Sequence, residues 1–305
     1  MDPKRHPLSR PMQRQRGFTL VELVMVIVIL GIVGGMVAVF MRAPIEAYFA
    51  TGRRAALTDV ADTAVRRMSR DIRKALPNSV RTSVVNGSDA CLEFIPTRTG
   101  ARYREQDRVA GDGKGLNFSA ADSTFNLLGR NADWSTDQQI KVNDLIAVYN
   151  LGIAGATAYN GDNVARVSLL EADTSGGTEE TTITLAPAKQ FPLESGSKRF
   201  HVVPVEENVV AYVCTGSTLR RLATAGLSTG PLLGSGATSF CGTPVQLASA
   251  PILASNVACA DTAFTYSPYT DLQRNGLIQI SLKLFDASNT ESVSLYHQMN
   301  VNNTP

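Results

Sequence analysis

From Phe18 to Met41 the chain runs for 24 residues with Glu22 as its one formal charge. As a helix rising ~1.5 Å per residue, this stretch spans roughly 36 Å. That crosses a ~30 Å hydrocarbon layer with some tilt. Five basic residues precede it, Lys4, Arg5, Arg10, Arg14 and Arg16, against Asp2 alone. The bias predicts a cytoplasmic N-terminus with everything after the run on the other side, and Arg42, Arg53 and Arg54 blur it without reversing it. A cleavable secretory signal would have an apolar core of only ~7–15 residues and a small-residue cleavage site, which Met36 to Pro44 does not supply.

Glu22, five residues into the run, is the telling feature. A carboxylate at membrane depth is costly unless paired, protonated or near the interface, so it is a functional candidate by default. A partner becomes available if the chain is cut between Gly17 and Phe18. The new α-amino group then opens the apolar helix four residues from Glu22. Within one chain the pair is possible, and a staggered packing of helices would also bring Glu22 of one subunit to the amine of its neighbour. Such a pair sets axial register more than it adds stability.

Gly17-Phe18-Thr19-Leu20-Val21-Glu22, behind a basic leader and ahead of an apolar helix, resembles the class III signal of type IV prepilins and pseudopilins. The resemblance implies cleavage after Gly17 by prepilin peptidase and methylation of the Phe18 amine. The leader is then residues 1–17, and 288 residues remain, long for a major pilin and more like a minor one. A narrower likeness, over residues 17–81, is to the minor prepilins of the mannose-sensitive haemagglutinin (MSHA) pilus system. Implied partners are other minor and major pilins, the peptidase and an inner-membrane assembly platform. The implied location is a single-pass inner-membrane protein with a periplasmic head, later part of a surface pilus. A minor pseudopilin of a type II secretion system shares the same signal. A membrane-anchored hydrolase or adhesin is the rival of another class.

The expected fold is α+β, a long N-terminal helix packed on an antiparallel β-rich, pilin-like head. Residues 18–41 form the transmembrane or filament-core half of the helix and residues 42–77 an amphipathic half. Pro44 is expected to kink or restart the helix. Gly31 and Gly35 form a G-x-x-x-G pair that suits either close helix approach or a helix able to soften during assembly. Beyond Pro44, the residues Ile45, Phe49, Leu57, Val60, Ala64, Met68, Ile72 and Leu76 recur at helical spacing. The arginines between them read as a solvated face, or as contacts to acidic neighbours in a filament. Pro77-Asn78 marks the stop.

Residues 78–305 read as short strands separated by turn residues. Ser79 to Val85 and Ala90 to Ile95 flank Asn86-Gly87, a hairpin signal, while Leu277 to Phe285 and Glu291 to Val301 should pair antiparallel. Polar segments near 96–142 and 223–262 read as loop insertions. Cys91, Cys214, Cys241 and Cys259 contain no C-x-x-C pair and lie far in sequence from His6, His201 and His297, so disulfides fit better than zinc. Three pairings are open, and the crowding of Cys214, Cys241 and Cys259 favours a bridge between two of them.

A net charge of +2, with 29 basic and 27 acidic residues, opposes nucleic acid as the main partner. Gly226-Leu227-Ser228-Thr229-Gly230 fits G-x-S-x-G, with Asp261 or Asp271 and then His297 in hydrolase order. Its flanks make neither the buried strand nor the helix that motif needs, so no enzyme is expected. No cofactor is expected either. Asn160 to Asn163 and Asp173 to Gly177 offer oxygen ligands for calcium but lack EF-hand spacing and read as turns.

Overall fold

A computed structural model describes residues 17–85, 89–224, 241–268 and 275–305. The chain falls into two units, one ending at Gly52 and one beginning at Arg53. Helix α1 spans Leu20–Ile72 and starts on a reciprocal cap. The Glu22 amide donates to the Thr19 hydroxyl at 3.3 Å, and the Thr19 amide donates back to the Glu22 carboxylate at 3.2 Å. Two donors that a helix start leaves unpaired are thereby satisfied.

The expected restart at Pro44 does not occur, since α1 is continuous through it. A helix exposed at that point loses one backbone bond and leaves the freed carbonyl open to outside partners. The helix ends five residues before the expected stop. The Ala75 amide bonds the Ile72 carbonyl at 2.9 Å and Ala75 bridges to Pro96, so the chain leaves the helix to join the head. Of the expected apolar stripe, Ala64, Met68, Ile72 and Leu76 are buried, while Ile45, Phe49 and Val60 are exposed. The buried face is Ala61, Ala64, Val65, Met68 and Ile72, spaced by three and four.

The head carries two β assemblies. In the first, β1 (Arg81–Val85), β2 (Asp89–Phe94), β9 (Val209–Thr215), β10 (Thr218–Thr224) and β11 (Ile252–Ser255) form one sheet in the order β1-β2-β9-β10-β11. Strands β12 (Ala263–Ser267), β13 (Asn275–Phe285) and β14 (Ser292–Asn302) form another. Both sheets share one core with α1, in which Met68, Ile72, Phe94, Tyr212, Ile280 and Leu282 meet. As expected, β1 pairs antiparallel with β2 and β13 with β14. The turn signal Asn86-Gly87 lies outside the described residues.

In the second assembly, β3 (Thr99–Arg102), β8 (Arg199–Val203), β5 (Leu145–Val148), β6 (Val164–Asp173), β7 (Glu180–Lys189) and β4 (Asp122–Leu127) follow that order, all antiparallel. Its two outer strands meet. Tyr103 bridges to Leu127, the Arg104 amide bonds the Asn126 carbonyl at 2.8 Å, and the Leu128 amide bonds the Arg102 carbonyl at 3.0 Å. The sheet thus closes on itself, which removes its edges.

This closure corrects the expectation for residues 96–142. They supply two barrel strands and buried Tyr103, Leu116, Phe125, Leu127 and Ile140, not a surface insertion. Apolar anchors far apart among polar residues give little local periodicity, and they meet only through the fold.

The second loop expectation is modified. Of residues 223–262, positions 225–240 lie outside the described residues. The remainder includes a capped short helix α2 (Pro244–Ser249), β11 and a 3-10 turn at Cys259–Asp261.

Two disulfides tie this segment down. Cys91 of β2 joins Cys241, and Cys214 of β9 joins Cys259. Cys91 and Cys214 sit on adjacent strands but in different cores, so one bridge lies on each face of the sheet. With separations of 150 and 45 residues, loop closure in the unfolded chain makes each worth roughly 4–5 kcal/mol in the entropic account.

Candidate functional site

Gly17, Phe18 and Thr19 lead into α1 in non-helical backbone, with Phe18 86 % exposed. A Cβ built on Gly17 would meet nothing within 4 Å, so packing among the described residues does not require glycine there. The same holds for Gly31, Gly34 and Gly35. Any demand for small residues at these positions comes from outside this chain or from the helix's own softness.

Glu22 does not stand alone at the helix start. Besides the backbone exchange, the Thr19 hydroxyl donates to its carboxylate at 3.1 Å. Thr19 is the residue that reading the sequence for charge pairs missed, although Thr-x-x-Glu before an apolar run is itself a recognisable capping signal. The cap holds the carboxylate one residue from Phe18, which is where a liberated amine would sit.

From Leu23 to Phe40 the helix is apolar and exposed on every side, with Val24 at 49 % and Phe40 at 78 %. It is long and apolar enough to cross a membrane. A helix hydrophobic all round requires an apolar surround, either lipid or other helices.

Among the described residues, the structure does not bring the hydrolase candidates together. Ser228 and Asp271 lie outside the described residues. Asp261 pairs with Lys283 at 2.7 Å, and His297 on β14 faces the Ser69 hydroxyl of α1 at 3.1 Å. His201 lies on β8, where burial, aided by the Arg199 charge, pushes its imidazole down to about 4. It is neutral at pH 7.

The polar side chains at the two calcium candidates make hydrogen bonds within the chain. Asp162 accepts the Thr157 amide at 3.2 Å, and Asn163 is buried and donates to the Val148 carbonyl at 3.0 Å. Asp173 accepts from the Ser175 hydroxyl at 2.6 Å and from Asn126 at 2.7 Å. These bonds, the serine first, hold its carboxyl well below the usual range.

Asp173 belongs to a network that no local pattern announces. Asn126 also donates to Glu180, which pairs with Arg104, and Lys114 reaches Thr182 and Asp173 at 3.1 and 3.6 Å. It links the 104–114 segment to the β6–β7 end of the barrel. A second network joins α1 to the first sheet: Asp71 accepts from the Tyr212 hydroxyl at 2.6 Å and from Arg221, which also grips Glu207. Both are structural links within the head.

Residues 12–38 match the family described as the prokaryotic N-terminal methylation motif. No curated protein and no solved structure matches the chain. Pilin-type families are structural and assemble with other pilins after processing by prepilin peptidase, and the apolar helix fits a single-pass membrane anchor. The methylation motif at the head of a helix that is apolar on every side supports a type IV pilin or pseudopilin.

Proposed function

We propose that the chain is a minor pilin of a type IV pilus of the MSHA type. It inserts with its N-terminus in the cytoplasm and its head in the periplasm, and it is cut between Gly17 and Phe18. It then joins other minor and major pilins on the inner-membrane platform, where it contributes to priming of the filament and to its tip complex. The observation that carries this reading is the methylation motif over residues 12–38, with Glu22 on the first turn of an apolar helix. The likeness of residues 17–81 to the minor prepilin MshO supports the narrower assignment.

In this mechanism the chain performs no chemistry. Glu22 exchanges its Thr19 donors for the Phe18 ammonium of a neighbour, and the cost of burying either charge alone selects one stagger between subunits. Glu22→Ala is expected to insert normally while its incorporation into the pilin complex falls roughly a hundredfold or more, the ~3 kcal/mol or more that one uncompensated buried charge costs. Co-purification with tagged neighbours measures this, and undiminished incorporation contradicts it.

A minor pseudopilin of a type II secretion system would share the motif and helix, so the deciding experiment is a deletion strain. Protein recovered in sheared pili, with pilus number reduced in its absence, supports the pilus assignment. Loss of exoprotein secretion with normal pili supports the pseudopilin.

A further inference from the structure

Among the described residues, strand β14 pairs with β13 alone, and no strand pairs its other long side. It runs from Ser292 to Asn302 in unbroken register with β13, without a bulge, a proline or a charged residue. Proteins usually blunt such an edge with one of those devices, because its unpaired amides and carbonyls are a template for another strand.

The edge lies alongside the helix. Arg54 bonds Glu291 at 2.6 Å, Ser69 meets His297 at 3.1 Å, and the Asn78 amide reaches Asn303 at 3.3 Å. The helix advances ~22 Å between the first two contacts, and the strand ~20 Å. Helix and strand therefore run side by side. The inward-facing residues of β14 are the odd-numbered ones, His297 among them, opposite Ile280 of β13. A strand added beside β14 would turn every second side chain towards the same side of α1.

That side is a groove of about 600 Å³, lined by Asp62, Arg66, Ser69, Arg70, Arg73 and His297. Asp62 is its one lining carboxylate and is tied to Arg66 at 2.6 Å. Arg70 and Arg73 are exposed and make no ion pair among the described residues. Same-face residues of a strand are ~7 Å apart, and Arg70 and Arg73, three residues apart on the helix, have Cβ atoms ~5–6 Å apart. Two carboxylates at alternate strand positions fit that pair.

We propose that the β14 edge and this groove bind an extended segment of another subunit, carrying acidic residues at alternate positions, as an added strand. The inference deepens the assembly reading by naming the chemistry of the partner. The backbone of β14 supplies affinity, and Arg70 and Arg73 supply selectivity for acidic side chains.

The test uses the full chain in detergent micelles and a fluorescent peptide of about ten residues that alternates threonine and glutamate. Three comparison peptides are used, one with lysine in place of glutamate and two N-methylated at alternate amides, one in each register. The expected result is saturable binding of the glutamate peptide, weakened about tenfold by Arg70→Glu with Arg73→Glu and by N-methylation in one register. Arg70→Lys with Arg73→Lys should retain most of the binding.

Equal binding of the lysine peptide, or full binding by both N-methylated peptides, overturns the proposal. So does binding unaffected by the charge reversal, or no binding at about 1 mM peptide because a second copy occupies the edge. Circular dichroism melts of each variant establish that the fold is kept. Recovery of the wild-type chain in filaments is scored separately, so failure of the assembly reading is distinguishable from failure of the groove.

Discussion

The helix from Leu20 to Phe40 and the six-stranded barrel answer to different partners. At Gly31, Gly34 and Gly35 an added Cβ would meet nothing, whereas at Gly115, beside the barrel, it would lie 2.7 Å from the Gln106 backbone. Side chains of the helix are exposed all round, while Phe125, Phe200 and Val202 in the barrel are fully buried. The helix sequence records demands made from outside the chain, and the barrel sequence records demands made by itself. Substitutions should accordingly divide into those that spare folding but harm assembly and those that do the reverse.

The largest expected effect on folding is in the barrel. Phe125 is 0 % exposed and packs edge-on to Phe200 with ring centroids 5.6 Å apart. Phe125→Ala should cost about 3–5 kcal/mol, read by denaturant unfolding of the head, while membrane insertion and N-terminal processing continue. A loss below about 1 kcal/mol would mean the barrel is not a tight core.

A smaller effect separates the barrel by pH. The His201 imidazole is held near 4, so the unfolded chain binds this proton at higher pH than the folded one. Stability contributed by the neutral form is therefore present above about 6.5 and is lost as pH falls towards the folded value. Allowing for partial exposure, acidification across that window should cost about 1–2 kcal/mol. His201→Gln should flatten the slope, and parallel profiles for the two proteins would refute the assignment.

The smallest effect on folding belongs to the helix. Gly31→Ala and Gly35→Ala should leave unfolding of the head unchanged within about 0.5 kcal/mol. Filament incorporation then distinguishes the two readings of these glycines. Gly35→Leu, which blocks close approach, should reduce it far more than Gly35→Ala if contact is what matters, and equally if softness is.

What could be read from the sequence follows the same division. The class of the chain, its apolar helix and the antiparallel pairing of β13 with β14 rest on local composition, strict alternation and turn residues, so they were visible. The barrel was not. Its closure joins Tyr103 to Leu127 across a glycine-rich stretch, and its polar network joins Arg104 and Lys114 to Glu180 and Asp173, which no window of neighbouring residues contains. Disulfide pairing was only partly legible: the crowding of Cys214, Cys241 and Cys259 pointed to a bridge among them, which Cys214–Cys259 is, and the rest stayed open. Cys91 and Cys214 are brought together only by strand pairing and are then separated onto two faces by the alternation of side chains. At the processing site Gly17, Phe18 and Glu22 stood out by chemical type. Thr19 was overlooked because its contribution is a hydrogen-bonding one and not a charge.

The central claim is that cleavage after Gly17 frees an amine for Glu22. Mass spectrometry of the N-terminal peptide from membrane-extracted protein tests it most directly, with Gly17→Trp run alongside. The account predicts a wild-type chain beginning at methylated Phe18 and a variant that keeps its leader. A wild-type chain beginning at Met1, or a variant cut like wild type, would contradict it.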